Sequence, residues 1–268
     1  MDAADIMYNM SEVYANCTSY QDRGIVRHFE QSSDSKAEEQ MVESHRHRVA
    51  FKTFFVRADK HADRYYFEWA EPPVGDPETA KHRVNAFWTD GGKVMRLFYS
   101  QPGAEVCPSL DYVIAASAGI SKGASVTIAA YLLPTLRQKM RTLFRLREVV
   151  LAEQCELDGR ACYLLKGTTW SGSEEHLWVD RENYLLRRTR VAFVIKPGVD
   201  EAQLEAIKRF DPKQAEEYRK FRLSQTEERR FWNQLDYHDA EVNQEIGDDI
   251  FKYDPQVASD LIPSFSVL

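Results

Sequence analysis

Residues 153–163 read Glu-Gln-Cys-Glu-Leu-Asp-Gly-Arg-Ala-Cys-Tyr, and this stretch predicts a tight β-hairpin. Asp158-Gly159 is a strong two-residue hairpin turn. A turn at this place pairs Leu157 with Arg160 and puts Cys155 directly opposite Cys162. Opposed Cα atoms lie about 5.5 Å apart in a hydrogen-bonded pair, which is within disulfide range. The two cysteines therefore form either a structural disulfide, which indicates an oxidising compartment, or a pair of buried free thiols.

The hairpin belongs to a longer run of strand patterns. Residues 148–157, 161–170, 174–180 and 184–194 predict a meander with turns between the strands. A second set lies nearer the N-terminus, and a last strand is expected over about 222–238. An antiparallel sheet of about ten strands has one face that must be covered. The strands of the second set are expected at residues 22–30, 48–57, 63–70, 83–90 and 93–100.

Helical patterns supply that cover. Residues 3–16 form an amphipathic pattern, and the helical segment 109–147 contains two patterns separated by Gly119–Gly123. A charged helix fits residues 200–220, within a helical insertion at 198–221. The expected architecture is α+β, a curved antiparallel sheet in the form of a half-open β-barrel wrapped around helices. We expect residues 1–268 to form a single domain of this kind.

Composition and charge exclude several classes of protein. The chain has 268 residues, and 35 basic against 42 acidic residues leave a net charge of −7, which argues against a globally basic nucleic-acid binder. We find no apolar run of the roughly 18–20 residues that a membrane-spanning helix needs. The stretch Met1–Asp5 lacks the pattern of a signal peptide. Two interpretations fit this stretch. The protein is either a cytoplasmic protein that starts at Met1 or an exported protein whose signal peptide has been replaced.

Several turns and strand ends resemble those of a known superfamily. They are Leu177–Arg190, Tyr237–Ile246 followed by Ile250-Phe251, Tyr20–Gly24 after the first helix, and Gly119–Gly123 with Leu132-Leu133-Pro134. These segments look like the LolA/LolB-like superfamily of bacterial lipoprotein carriers, and specifically an uncharacterised branch of it. The similarity spans roughly residues 3 to 253, although the helical segment 109–147 and the insertion are outside the common pattern of the carriers.

This resemblance implies a function. In the superfamily the concave side of the sheet is an apolar cavity that holds acyl chains or another hydrophobic ligand, and members are exported to the periplasm or anchored as lipoproteins. A disulfide between Cys155 and Cys162 would agree with such a location. The same side chains would also serve an ordinary sheet-on-helix core. The candidate cavity residues are Phe51, Phe55, Tyr65, Phe67, Trp69, Trp88, Phe98, Leu132, Leu136, Trp178 and Phe231.

Our main hypothesis is a non-enzymatic, periplasmic or secreted protein that binds a hydrophobic small molecule, a lipid or a lipoprotein. The alternative is a periplasmic protein-interaction or sensory/regulatory module of the same fold, with a protein partner bound through residues 200–220. We expect no catalytic residues, cofactor or metal. His45 and His47 are candidate metal ligands, with His28 or His61 as a third ligand. The favoured interpretation is that these histidines are solvated. Gly119–Gly123 lacks the spacing of a phosphate-binding loop and is interpreted as a turn.

Overall fold

The computed structural model describes residues 1–31, 41–44, 47–58, 62–72, 83–90, 92–101, 103–133, 135–136, 146–169 and 172–253. These residues form one open antiparallel sheet of twelve strands with a few helices, which confirms the α+β prediction. The strands are β1 Ser19–Gln31, β2 Met41–Glu43, β3 Val49–Val56, β4 Arg64–Glu71, β5 Arg83–Asp90, β6 Lys93–Leu97, β7 Glu105–Cys107, β8 Arg147–Leu157, β9 Arg160–Thr168, β10 Glu174–Asp180, β11 Leu186–Ile195 and β12 Arg229–Val242.

The sheet contains more strands than the sequence predicts, twelve instead of about ten. The strand order is β7-β6-β5-β4-β3-β1-β12-β11-β10-β9-β8, and β2 pairs with β1 outside this path. The short strands β2 and β7 account for the difference, because three residues are too few to show an alternating pattern. The last strand, β12, also begins seven residues later than expected and extends to Val242.

The first and last strands of the chain meet in the middle of the sheet. In the pairing of β1 with β12, Tyr20 lies opposite Val242 and Gly24 opposite Tyr237. Gly24 is required here because a Cβ atom would lie 2.2 Å from Cζ of Phe51 and 2.4 Å from the carbonyl oxygen of Asp236. The glycine therefore lets an aromatic ring of the neighbouring strand lie directly on the backbone of β1.

Helices form within each of the helical segments that the sequence predicts. Between residues 124 and 133 the predicted helical run contains two helices of four residues each, and Leu133 is extended, as the residue before Pro134 should be. Residues 137–145 of the predicted run lie outside the described residues. The charged segment contains two helices, and Asp211 caps the second by accepting hydrogen bonds from Lys213 and Gln214. The helices are α1 Ala3–Asn16, α2 Leu110–Ser117, α3 Ala124–Thr127, α4 Ala129–Leu132, α5 Glu201–Phe210 and α6 Pro212–Ser224.

One face of the sheet, called the inner face here, carries the main hydrophobic core. Helices α1 to α4 contribute buried side chains to it, including Ile6, Val113 and Leu132. On the opposite, outer face, a smaller core forms where residues 246–253 fold back over Tyr66 and Trp88. Alternation along the strands decides which face a side chain occupies, since successive residues of a strand point to opposite sides.

The hairpin of residues 153–163 has the predicted register, but its cysteines are not bonded. Cys155 lies opposite Cys162, and Asp158 and Gly159 have φ values of 51° and 77° as the turn requires. Both thiols are free, so the structure does not contain the candidate disulfide and shows the second alternative that the sequence leaves open, with Cys162 buried and Cys155 half-buried. The physical reason is the type of pair: Leu157 and Arg160 close the turn, which makes Cys155 and Cys162 a hydrogen-bonded pair. Such pairs hold Cβ atoms about 5.5 Å apart, whereas a disulfide needs about 3.5–4.5 Å.

None of the helices in the described part of the chain is long and apolar enough to span a membrane.

Candidate functional site

The inner face brings most of the predicted cavity residues together. Phe51 lies opposite Trp69, and Phe55 opposite Tyr65, on the paired strands β3 and β4. Phe67 contacts Trp69 with ring centroids 5.5 Å apart, and Phe98 packs against Trp69 at 5.8 Å. Leu132 and Leu136 belong to the same core. Phe51, Phe55, Tyr65, Phe67 and Trp69 are at most 1% exposed, so side chains fill this part of the face.

Three predicted cavity residues lie elsewhere. Trp88 is opposite Tyr66 on the outer face, where the ring of Tyr253 covers it at 5.0 Å. Trp178 also lies on the outer face, between the guanidinium groups of Arg188 and Arg190 at 5.7 Å and 5.6 Å. A count of aromatic residues does not show which face each one occupies, whereas the parity along each strand does. Phe231 is on the inner face but at its far end, stacked on Phe193 at 5.2 Å.

A pocket of about 270 Å³ lies where the helices meet the sheet. Its apolar lining comes from Leu110, Leu133 and Val94, all of which also pack in or against the main core. Polar groups, among them Asp63 and Asp111, form the rest of the lining. We call this cavity the rim pocket. Its volume is just below the roughly 300–1,000 Å³ of typical small-molecule sites.

A second, wider groove of about 720 Å³ lies beside the hairpin turn of β8 and β9. It is lined by charged side chains such as Arg160, Arg181 and Glu182, and it contains none of the predicted cavity residues. The buried carboxylate of Asp180 in this groove already binds Arg187 at 2.9 Å and the backbone N–H of Glu182 at 2.9 Å. The groove is therefore a polar surface around a structural ion pair.

Helices α2, α3 and α4, called the cover helices here, are joined and held by few polar contacts. Arg57 donates from Nε to the carbonyl oxygen of Cys17 at 3.1 Å and from a terminal nitrogen to that of Leu132 at 3.2 Å. It thus ties the C-terminal ends of α1 and α4 to β3. At the other end, Lys122 Nζ donates to the carbonyl oxygen of His47 at 2.5 Å. Lys122 and Gly123 have φ values of 53° and 93°, which makes a tight turn between α2 and α3.

A buried carboxyl group lies among tyrosines on the inner face. Tyr20 donates a hydrogen bond from its hydroxyl to Oδ2 of Asp22 at 2.6 Å, and Tyr14 contacts both Tyr20 and Tyr131. Burial raises the pKa of Asp22 to about 7, although hydrogen bonding to Tyr20 and Thr53 opposes the shift. This carboxyl group therefore changes charge near neutral pH. Strand β1 contains several other polar and charged residues, so the sequence does not distinguish the buried Asp22 from them.

Other polar atoms on the inner face are buried without a partner. Glu175 on β10 has an Oε1 atom with no hydrogen bond from the described residues, and burial alone raises its pKa to about 8. Nε1 of Trp69 and Oγ of Ser117 are also buried, and no group of the described chain pairs with them. Each such group costs about 1–3 kcal/mol when left unsatisfied. The inner face thus combines a large apolar surface with a small number of polar atoms.

The histidines do not assemble into a metal site within the described chain. His28 and His47 have ring centroids 5.5 Å apart, while Nδ1 of His28 lies 2.8 Å from the amide oxygen of Asn233. Among the described residues no group of three or more His, Cys, Asp or Glu side chains could hold a metal ion. His45 and His61 lie outside the described residues.

The helix pair α5–α6 projects from the connection between β11 and β12. Only Ala215 of its described side chains is buried, whereas Phe221 and Leu223 are 49% and 62% exposed. Arg222 fixes the base of the pair by donating to the carbonyl oxygens of Lys196 at 2.6 Å and Gly198 at 3.0 Å. Phe193 and Val194 on the adjoining strand are also exposed. The pair therefore presents apolar side chains to solvent.

The fold and site define an α+β protein with an open twelve-stranded sheet and helices on one face. No protein-family model matches the sequence, and no curated protein sequence matches it. Solved structures do match over most of the chain. One is lipoprotein LppX of Mycobacterium tuberculosis, with a TM-score of 0.40 and 8% identity, covering 91% of this chain and 96% of that one.

Two further structures match at similar levels. The MucA/MucB complex of Pseudomonas aeruginosa has a TM-score of 0.43 and 10% identity, covering 94% of this chain and 61% of that one. A LolA superfamily protein of Nitrosomonas europaea has a TM-score of 0.30 and 12% identity, covering 94% and 98%. A member of the superfamily that the sequence resembles is thus among the matched structures. These similarities are distant, and the fold assignment rests on the strand order and register described above.

Proposed function

We propose that this protein binds a hydrophobic ligand, a lipid or a lipoprotein acyl chain, between the inner face and the cover helices, and that it catalyses no reaction. The observation that carries the proposal is the rim pocket. Its apolar lining by Leu110, Leu133 and Val94 continues into the core under the helices. An acyl chain entering there would gain about 0.8 kcal/mol for each buried CH₂ group.

Entry of a ligand requires the cover helices to move, because aromatic side chains fill the inner face in this structure. The construction of the helices supports such a movement. They contain eight, four and four residues, and the turn Gly119–Gly123 joins the first two. Helices this short have little stability of their own and are held by packing against the sheet, so the segment can rearrange when these contacts are lost. The turn is the hinge that we propose.

Binding is tested first by extracting the purified protein with organic solvent and analysing the extract by mass spectrometry. Titration with a fluorescent fatty acid then measures affinity. Leu133→Arg places a charge in the rim pocket and should weaken binding by at least about tenfold, since a buried unpaired charge is costly. Val150→Arg, at a 55% exposed position of β8, is the matched control and should bind normally.

Two results would contradict the proposal. One is the absence of both co-purified lipid and saturable binding of the fatty acid by the folded wild-type protein. The other is equal binding by Leu133→Arg and Val150→Arg while circular dichroism shows both to be folded. Normal binding only by the control would identify the rim pocket as the entrance.

We also infer that the protein acts in the periplasm or after secretion, as its resemblance to the LolA/LolB-like superfamily implies. The four free cysteines do not oppose this location, because burial raises the pKa of the Cys17 and Cys162 thiols to about 11 and keeps them unreactive. Fractionation of the natural host after osmotic shock tests the inference. Recovery of the protein with cytoplasmic markers would overturn it.

A protein-interaction or sensory module is the second candidate function. The helix pair favours it, because Phe221 and Leu223 are exposed on a projection that contributes little to the core. Deleting residues 198–224, which removes Phe221 and Leu223, should abolish capture of a protein partner from host extracts and leave fatty-acid binding unchanged. Loss of fatty-acid binding with retention of the partner would remove this candidate.

A further inference from the structure

The two edges of the sheet differ in length. Strand β7 forms one edge with three residues, whereas β8 forms the other with eleven. In the described sheet, β8 pairs with β9 and with no other strand. A long edge strand carries a row of free backbone donors and acceptors to which another strand can be added.

The hairpin register shows which of these groups point outward. Leu157 and Arg160 close the two-residue turn, so they and the pair Cys155–Cys162 exchange hydrogen bonds between β8 and β9. The backbone groups of Gln154 and Glu156 must then point away from β9. Both residues are exposed, and none of the contacts in the described residues occupies these groups.

The regular part of this edge is short. The pairing of β8 with β9 shifts between Arg147 and Val150 and again between Leu151 and Glu153. Bulges of this kind twist an edge away from a flat partner, which protects the first half of β8 from pairing. The segment from Glu153 to Leu157 has no shift, so it can accept a partner of only a few residues.

Charge indicates the chemistry of that partner. Glu148, Glu153 and Glu156 are exposed on β8, against the single basic residue Arg147 at its start. Like charges placed opposite each other destabilise a strand pair, and opposite charges stabilise it. A second copy of β8 would bring its own glutamates to the same edge and is therefore disfavoured. Glu153 and Glu156 lie on opposite faces of β8, so an extended segment with lysine or arginine on both of its faces fits.

We propose that the edge of β8 from Glu153 to Leu157 binds an extended basic segment of a partner protein, which adds to the sheet as a further strand. The backbone groups of Gln154 and Glu156 supply the hydrogen bonds, and the glutamate side chains select for positive charge. This surface is separate from the inner face and from the helix pair, so the proposal is independent of the proposed function.

The test uses the full chain and two capped synthetic peptides, one of lysine and valine and one of glutamate and valine, each with charged residues on both faces of the extended chain. Backbone amide exchange followed by NMR is the first measurement. The amides of Gln154 and Glu156 should exchange rapidly in the free protein and slow on addition of the lysine peptide only. Binding should weaken as salt is raised, because exposed charges are screened.

Variants separate the backbone contribution from the charge contribution. Gln154→Pro removes an outward donor and should weaken binding about tenfold, since proline is tolerated on an edge but cannot donate. The matched control Gln154→Ala keeps the donor and should bind normally. Replacing Glu153 and Glu156 together by lysine should reverse the preference to the glutamate peptide.

Three results would overturn the proposal. The first is the absence of lysine-peptide binding by the folded protein. It would mean that the charges and bulges prevent any strand from pairing with this edge. The second is a concentration-dependent dimer through β8, measured by sedimentation. The third is equal binding by Gln154→Pro and Gln154→Ala, which would show contact through side chains alone. Fatty-acid binding should be unchanged in every variant.

Discussion

The hydroxyl of Tyr20 donates a hydrogen bond to Oδ2 of Asp22, two residues along the same strand, with an O···O distance of 2.6 Å. Both side chains point to the inner face and are buried. The donor only partly compensates for the loss of water around the carboxylate, because burial still raises the pKa of Asp22 to about 7. The protein therefore holds one ionisable group near its midpoint at neutral pH, inside the core.

This pair predicts that the protein loses stability as pH rises. Because the pKa of Asp22 is about 7 when folded and about 3.8 when unfolded, the folded state binds the proton more tightly. The contribution of Asp22 to stability is fully present below about pH 4 and is lost as pH rises to about 7. The loss is on the order of 4 kcal/mol, because each unit of pKa difference corresponds to about 1.4 kcal/mol. Urea denaturation at pH 5 and pH 8 measures this loss of unfolding free energy.

Asp22→Asn should reduce this pH dependence, since it removes the titration. Glu245→Gln, at an exposed position, is the control and should keep the wild-type profile. An unchanged profile in folded Asp22→Asn would show that Asp22 does not carry the effect.

Glu175 predicts a second effect, at higher pH. Its carboxyl group has no partner for Oε1, and burial alone raises its pKa to about 8. The unfolded carboxyl group ionises near 4.5 and the folded one near 8, so this group costs stability as pH rises from about 4.5 to about 8. Glu175→Gln should therefore be the more stable protein at pH 9, by at least about 1–3 kcal/mol. At pH 5 both proteins carry a neutral side chain and should differ little. Equal stability at pH 9 would mean that water or a nearby cation reaches this carboxylate.

The contact between Gly24 and Phe51 predicts a severe packing defect. Gly24→Ala would bring a methyl group to 2.2 Å from the ring and 2.4 Å from the carbonyl oxygen of Asp236. The central strand pair must move apart, at a cost of about 3 kcal/mol. Gly119→Ala meets nothing within 4 Å and is the control. Thermal unfolding of the two variants compares their melting temperatures. A normal melting temperature for Gly24→Ala would contradict the expectation.

The sequence predicts the sheet better than it predicts the site. The Asp158-Gly159 turn and the alternation of Tyr65, Phe67 and Trp69 gave the right register and face, because they depend on local geometry. The pairing of β1 with β12 connects residues more than 200 positions apart, and no local pattern contains it. Trp88 and Trp178 lie on the outer face, because strand parity and not aromatic character decides which face a side chain occupies.

Arg57 should control how readily the cover helices leave the sheet. It donates to the carbonyl oxygens of Cys17 and Leu132, so Arg57→Ala removes two hydrogen bonds at the ends of α1 and α4. We expect amide exchange in residues 124–133 to accelerate about tenfold, as about 1.4 kcal/mol of local stability would be lost. Arg96→Ala, which breaks an exposed pair with Glu105, is the control. Exchange that is equal in the two variants would show that packing alone holds the helices.

The cysteines should behave as four unreactive thiols in the folded protein. Burial raises the pKa of Cys17 and of Cys162 to about 11, and it also raises the pKa of Cys155 and of Cys107. Alkylation at pH 8 should be slow until the protein is unfolded, when mass spectrometry should count four modified cysteines. Two modified and two oxidised cysteines would indicate a disulfide.

The meeting of β1 and β12 at the centre of the sheet has a consequence for biosynthesis. Each half of the sheet is a meander of local contacts and can begin to form early, whereas the seam between the halves closes only after residue 242 has left the ribosome. Until then both halves expose an unpaired edge at β1 or β11. A chain built in this way cannot complete its sheet during translation, so both open edges are exposed to chaperones and to other unfinished chains until the last strand has been made.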